Sequence, residues 1–175
     1  MKELKVVFQT FARYNQGMNA QLYAACSQLS DEERRRDGGA WFKSIHGTLN
    51  HVLLTDKMWL GRFQSEPFVV PSLDFELFAT WAELKAERLA CDARLISWVD
   101  GLEAGRLREK LSYQPMSRPE PVACPLWLAV AHLWNHQTHH RGQATALMNA
   151  LGADSGATDL PVFAPVQAFV SEHPL

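Results

Sequence analysis

The chain has 175 residues, 47% of them hydrophobic, and 17 Lys and Arg against 19 Asp and Glu for a formal net charge of −2; this suits one domain over residues 1–175 with a sizeable core and excludes a disordered chain. The cations are scattered apart from Arg34–Arg36, which argues against nucleic acid as a partner, and no run of about 18 apolar residues occurs, so no membrane span is expected. The amino terminus mixes charges into its apolar residues, unlike a signal peptide, and Cys26, Cys91 and Cys124 are widely spaced without a C-x-x-C, so the chain reads as a cytoplasmic protein with free thiols.

Apolar residues recur at Leu4, Val7, Phe8, Phe11, Met18, Leu22, Ala25 and Leu29, which predicts a long first helix carrying Tyr14 and Asn15 in the same stripe. Ser30-Asp31-Glu32-Glu33 has the S-x-x-E capping pattern and starts a short helical turn that Asp37-Gly38-Gly39 stops. A second long helix is expected from Trp41 or Ser44 to Phe63. On it His51 shares a face with Gly47, Thr48, Leu54, Thr55 and Met58, while His46 lies about 140° away beside Leu49, Leu53 and Leu60. The small Gly47 and Thr48 leave room beside His51. The second apolar stripe suggests a surface for a partner and hence a homodimer.

Pro67 and Pro71 mark a loop. A third helix is expected over Leu73–Leu102, with Ser72 as N-cap, recurring apolar positions Phe75, Phe78, Ala82, Leu89 and Ile96, and an end at Asp100-Gly101. The helical period is lost over Leu102–Cys124. There Leu107–Tyr113 alternates and supplies one arm of a small hairpin, and Pro115, Pro119 and Pro121 make the remainder loop. Pro125 suits the first turn of a fourth long helix that continues to Leu151 and stops at Gly152. Ala153–Leu175, with three prolines and no long period, reads as a surface segment returning over the helices. Four long amphipathic segments without βαβ alternation give an all-α fold, a four-helix bundle with a small hairpin before the last long helix.

Four of the seven histidines lie between His132 and His140, in AHLWNHQTHHRGQA at Ala131–Ala144. His136 and His140 are about 40° apart on a helical wheel, one turn above the other, on the face that carries Ala129, Leu133, Ala144, Leu147 and Leu151. Imidazoles on an apolar face need partners for their ring nitrogens, and a divalent cation serves two at i, i+4 at once. His51, on its own core face, is the candidate third ligand. His132 and His139 are close enough to the stripe that either replaces His140 in another register. Gln143 is a candidate amide behind the ligands.

His136-Gln137-Thr138-His139-His140 has zinc-protease ligand spacing, but Gln137 stands where that motif needs Glu, and an amide cannot take a proton from water. No histidine has Asp or Glu three residues before it, against a di-iron carboxylate site, and nucleotide-binding and serine-hydrolase motifs are absent. Three neutral imidazoles suit a divalent transition metal, zinc or nickel first, with iron, cobalt, copper or manganese as the others, rather than calcium or magnesium. Three protein ligands leave a position open for water or substrate.

Arg13–Asn15 (RYN), Gly47–Phe63 (GTLNHVLLTDKMWLGRF), Asn135–Gln143 (NHQTHHRGQ) and Asp159-Leu160 together resemble the DinB/YfiT-like superfamily of helical-bundle metalloenzymes, in order along nearly the whole chain. The resemblance implies an up-and-down bundle, a frequent homodimer, and a metal on a histidine triad that maps to His51, His136 and His140. Characterised members transfer or isomerise small-molecule substrates using a low-molecular-weight thiol, and many have no established activity. Two functions follow as expectations: a metal-dependent thiol S-transferase, or a non-catalytic metal-binding or stress-associated dimer.

Overall fold

A computed structural model of the chain describes residues 1–173. It is helical apart from one two-stranded sheet. The elements are α1 (Lys2–Cys26), α2 (Asp31–Arg35), α3 (Ile45–Gln64), α4 (Trp81–Gly101), β1 (Lys110–Tyr113), β2 (Val122–Pro125), α5 (Leu126–Asn149) and α6 (Ala164–Glu172), with 3-10 turns at Ala104–Arg108 and Leu160–Val162. α1 packs on α4 and α5, and α3 packs on the same two helices. One main apolar cluster lies between them, with Phe8, Leu22, Leu49, Leu53, Leu95 and Leu133 among its buried members. No helix among the described residues is long and apolar enough to cross a membrane.

Local chemistry sets the helix starts. Ser30 and Glu33 form a reciprocal capping box at α2, and the Ser44 hydroxyl accepts from the Gly47 N–H at α3, each satisfying a backbone donor that the first turn leaves free. The third long helix begins later than its apolar spacing suggests. Thr80, not Ser72, caps α4, accepting from the Glu83 N–H, while the Ser72 hydroxyl bonds Asp74. The reason is that residues 73–79 lie across α3: the Asn50 side chain donates to the Phe78 carbonyl and accepts from the Phe78 N–H. The face is also different. Leu84, Arg88, Cys91, Asp92, Leu95 and Val99 are buried, whereas Leu89 and Phe75 are exposed.

The hairpin exists, and its second arm runs to Pro125, which pairs with Lys110, so α5 starts one residue beyond the proline. Gly152, at φ +75°, adopts the left-handed conformation that a chain leaving a helix requires. The tail is more ordered than its prolines suggest. α6 packs on α1, with Arg13 over the Phe169 ring at 4.1 Å and Phe163 edge-on to Tyr14. The stripe that suggested a partner surface lies inside the chain: Leu49, Leu53 and Leu60 are within the main core, and buried His46 contacts the Phe78 carbonyl and Arg35. That removes the argument it supplied for a dimer. The cysteines are free, and burial pushes Cys26 up to about 12 and Cys91 to about 11, which leaves both as inert thiols.

Candidate metal centre

α3 contributes His51 and α5 contributes His136 and His140, and one ring nitrogen from each lies within 4.8 Å of the others. This is a cluster compatible with a metal ion. His51 and His136 approach Nε2 to Nε2 at 3.3 Å, about the edge that two zinc ligands at about 2.0–2.1 Å span in a tetrahedron. His51 and His140 are buried and His136 is half-buried.

The surroundings decide which nitrogens face inward. His51 Nδ1 lies 2.8 Å from the Leu73 carbonyl and His140 Nδ1 lies 2.7 Å from Gln143 Oε1. Both of those oxygens only accept, so each Nδ1 carries the hydrogen and each Nε2 keeps its lone pair. His136 Nδ1 faces Thr55 Oγ1 at 3.4 Å. That hydroxyl turns its own hydrogen to the His51 or Val52 carbonyl and is left to accept. Three Nε2 lone pairs therefore point at one another with no proton between them. Burial lowers His51 to about 4 and His136 to about 3, the latter also through repulsion from His140 and His51; His140 is lowered by burial as well. All three are neutral near pH 7, the form that ligates metals.

Phe42 stacks on His51 with ring centroids 3.8 Å apart and meets His140 edge-on. The room beside His51 is taken by the chain itself, because a Cβ on Gly47 would sit 2.3 Å from the Phe42 carbonyl oxygen. On the other side opens a cavity of about 250 Å³ lined by His51, Thr55, Trp59, Arg62, Tyr113 and His136, among others. Gln143 serves as the amide behind a ligand, acting on His140. His132 and His139 are exposed and stand outside the cluster: His132 rests edge-on to Trp59, and His139 Nε2 faces the Gln143 amide.

A second buried polar group escapes the reading of the sequence. Asp56 accepts from Arg88 Nη1 at 2.5 Å and from the Gln137 amide. Asp92 accepts from Arg88 Nη2 at 2.8 Å and from Asn19 at 3.0 Å. Arg141 donates to Asn15, Gln137 Oε1 and Thr138. Burial raises both carboxyls, Asp56 to about 6, against the pull of Arg88. Gln137 thus has a role of its own: its amide gives a hydrogen to Asp56 and takes one from Arg141, whereas Glu at that position would set two carboxylates together. The signal available in the sequence was the i, i+4 spacing of Asn15 with Asn19, Arg88 with Asp92, and Gln137 with Arg141.

The family model described as "DinB family" matches residues 1–172. The chain is 24% identical over 163 residues to Protein DinB of Bacillus subtilis (strain 168), an alignment that covers 86% of this chain and 89% of that protein.

Proposed function

The chain belongs to the DinB family, and from that membership and the three-imidazole site we propose a divalent-metal-binding protein that acts as a metal-dependent S-transferase for a low-molecular-weight thiol. We read residues 1–175 as one domain, and α1, α3, α4 and α5 as the four-helix bundle of that family. The observation that carries the proposal is the convergence of three Nε2 lone pairs whose opposite ring nitrogens are already engaged. Such a cluster is electrostatically unfavourable without an electrophile at its centre. Zinc or nickel suits three neutral nitrogen donors.

His51, His136 and His140 would hold the ion, which when bound supplies Lewis acidity that lowers the pKa of a thiol. The Leu73 carbonyl, Gln143 and Thr55 hold the three rings in the ligating tautomer. Phe42 covers one side of the cluster, stacked on His51 and edge-on to His140. The cavity on the other side, lined by Thr55, Trp59 and Arg62, offers the approach for a thiol and its electrophilic partner.

Untagged protein is expected to carry a single transition-metal ion per chain by elemental analysis, and His51→Ala, His136→Ala and His140→Ala to lose it. If all three variants keep full metal, the triad is wrong. Conjugation of chloro-dinitrobenzene and of an epoxide with a panel of thiols should be faster in metal-loaded protein than in apo or His51→Ala protein. Equal rates in the three would sink the mechanism, and background rates with metal bound would favour the non-catalytic metal-binding or stress-associated protein.

A further inference from the structure

Arg62, near the end of α3, stands between two cavities. It lines the histidine cavity of about 250 Å³ and a larger one of about 690 Å³, and Met58, Tyr113 and Met116 line both. The larger cavity runs between the loop after α3 and the hairpin, with Phe68, Val70 and Leu111 among its apolar walls. Val69 and Met116 stand exposed around it. One open groove therefore leads from the histidines past Arg62 to an apolar surface.

Arg13, Arg34, Arg35, Arg88 and Arg106 each meet a carboxylate. Arg36, Arg94, Arg108 and Arg118 form no ion pair among the described residues but are exposed, and Arg62 differs from them in its burial. Arg62 is half-buried and, among the described residues, has no carboxylate partner. Its hydrogen bonding reduces to one 3.5 Å approach to the Gln114 carbonyl, and a titratable group that its charge acts on is His132, whose protonation it disfavours. The guanidinium sits in the corner of the Trp59 and Tyr113 rings, 4.5 Å from each centroid, and those rings meet at 5.0 Å. Aromatic faces attract a cation but accept no conventional hydrogen bonds from its edge. Most of the five N–H donors of the fork therefore face the two cavities rather than a protein acceptor. Arg141, the other inward arginine without a carboxylate partner, differs, because Asn15, Gln137 and Thr138 engage its fork.

We propose that Arg62 is an anion-binding residue and that the groove takes an amphipathic carboxylic acid, its carboxylate on the Arg62 fork and its apolar body against Phe68, Val70, Leu111 and Met116. A carboxylate matches the planar fork in a bidentate way that a neutral head cannot. The inference deepens the proposed function by naming the substrate class that Arg62 would hold beside the histidines, and it rests on that reading only for what happens at the histidines.

The test is calorimetric titration of the full chain as purified with octanoate and with octanamide, which share a tail and differ in head charge. Wild-type protein should prefer octanoate on the order of tenfold, as a charge-assisted hydrogen bond allows. Arg62→Met, which keeps an apolar stem against the rings, should bind both equally, and Arg62→Lys should retain part of the preference. Thermal unfolding identifies variants that keep the native fold, and the lysine variant serves if the methionine one does not. His51→Ala should keep the octanoate preference, which separates this proposal from the metal reading. No binding of either probe, equal binding by wild type, or a preference that survives Arg62→Met overturns it. A preference lost in His51→Ala also overturns it, because octanoate would then be held at the histidines.

Discussion

Two faces of α5, one residue apart in register, show what i, i+4 spacing can mean. His136 and His140 point to one side, and Gln137 and Arg141 to the other. In both pairs a polar side chain on one helical turn stacks over another, and in both some partners come from other helices and some from α5 itself. The difference lies in what remains unmatched. Gln137 and Arg141 meet Asp56, Asn15 and Thr138 with complementary donors and acceptors, and two guanidiniums there balance two carboxylates, although Asp56 Oδ1 and Arg88 Nε have no partner among the described residues. His136 and His140 meet His51 with lone pairs on every side, so that face is completed only from outside. Spacing identifies a cluster, whereas the balance of donors and acceptors says whether it holds the fold together or receives a ligand.

The largest expected effect tests the balanced face. Arg88→Met would leave Asp56 and Asp92 buried without their shared cation. Removing one partner from a buried ionic network costs about 3–5 kcal/mol, read as a lower midpoint in urea or heat. The metal content of chains that remain folded should not change, because Arg88 touches none of the three histidines. A loss below about 1 kcal/mol would mean that the network contributes little to stability, and a parallel loss of metal would mean that the two faces form one unit.

A smaller effect tests the open face. Gln143→Ala removes the acceptor that holds the His140 Nδ1–H and with it the bias toward an inward Nε2. Loss of such a supporting contact lowers metal affinity by about 10–100-fold, measured by competition with a chromophoric chelator. Apo stability should stay close to wild type, since Gln143 is only half-buried. Unchanged affinity would show that packing against Phe42 and His136 alone orients the ring.

The contrast also explains what the sequence made legible. The existence of α1, α3 and α5 was readable from their apolar period, and their inward faces in part: Phe8, Met18 and Leu22 of the α1 stripe are buried but Val7 is exposed, and on α5 Ala129, Leu133 and Ala144 are buried beside Gln137 and Arg141. The meeting of His51 with His136 and His140 was readable too, because each lies on a stripe beside Leu or Ala. α4 was misread for the same reason that the ionic network was missed: Arg88 and Asp92 occupy core positions, and a search for apolar periodicity assigns charged residues to solvent. Pairing between helices alone makes them interior. The start of α4 depended on Asn50 holding the Phe78 backbone, 28 residues away, which no local pattern records. The second hairpin arm and α6 are short elements that exist because β1 and α1 offer them partners.

The smallest expected effect decides the register of the open face. His132 lies one turn before His136, with ring centroids 5.8 Å apart, and leans on Trp59 at 5.1 Å; His139 is adjacent in sequence to His140 but exposed. Neither belongs to the cluster whose nitrogens lie within 4.8 Å. His132→Ala and His139→Ala should therefore leave the metal content at the wild-type level, whereas His140→Ala should abolish it. His132→Ala is the stricter comparison, because His132 lines the same cavity as His51 and His136 and its loss would alter solvent access without removing a ligand. Metal retained in His140→Ala but lost in His132→Ala would shift the site one turn toward the start of α5, and Gln143 would then have no bearing on ligation.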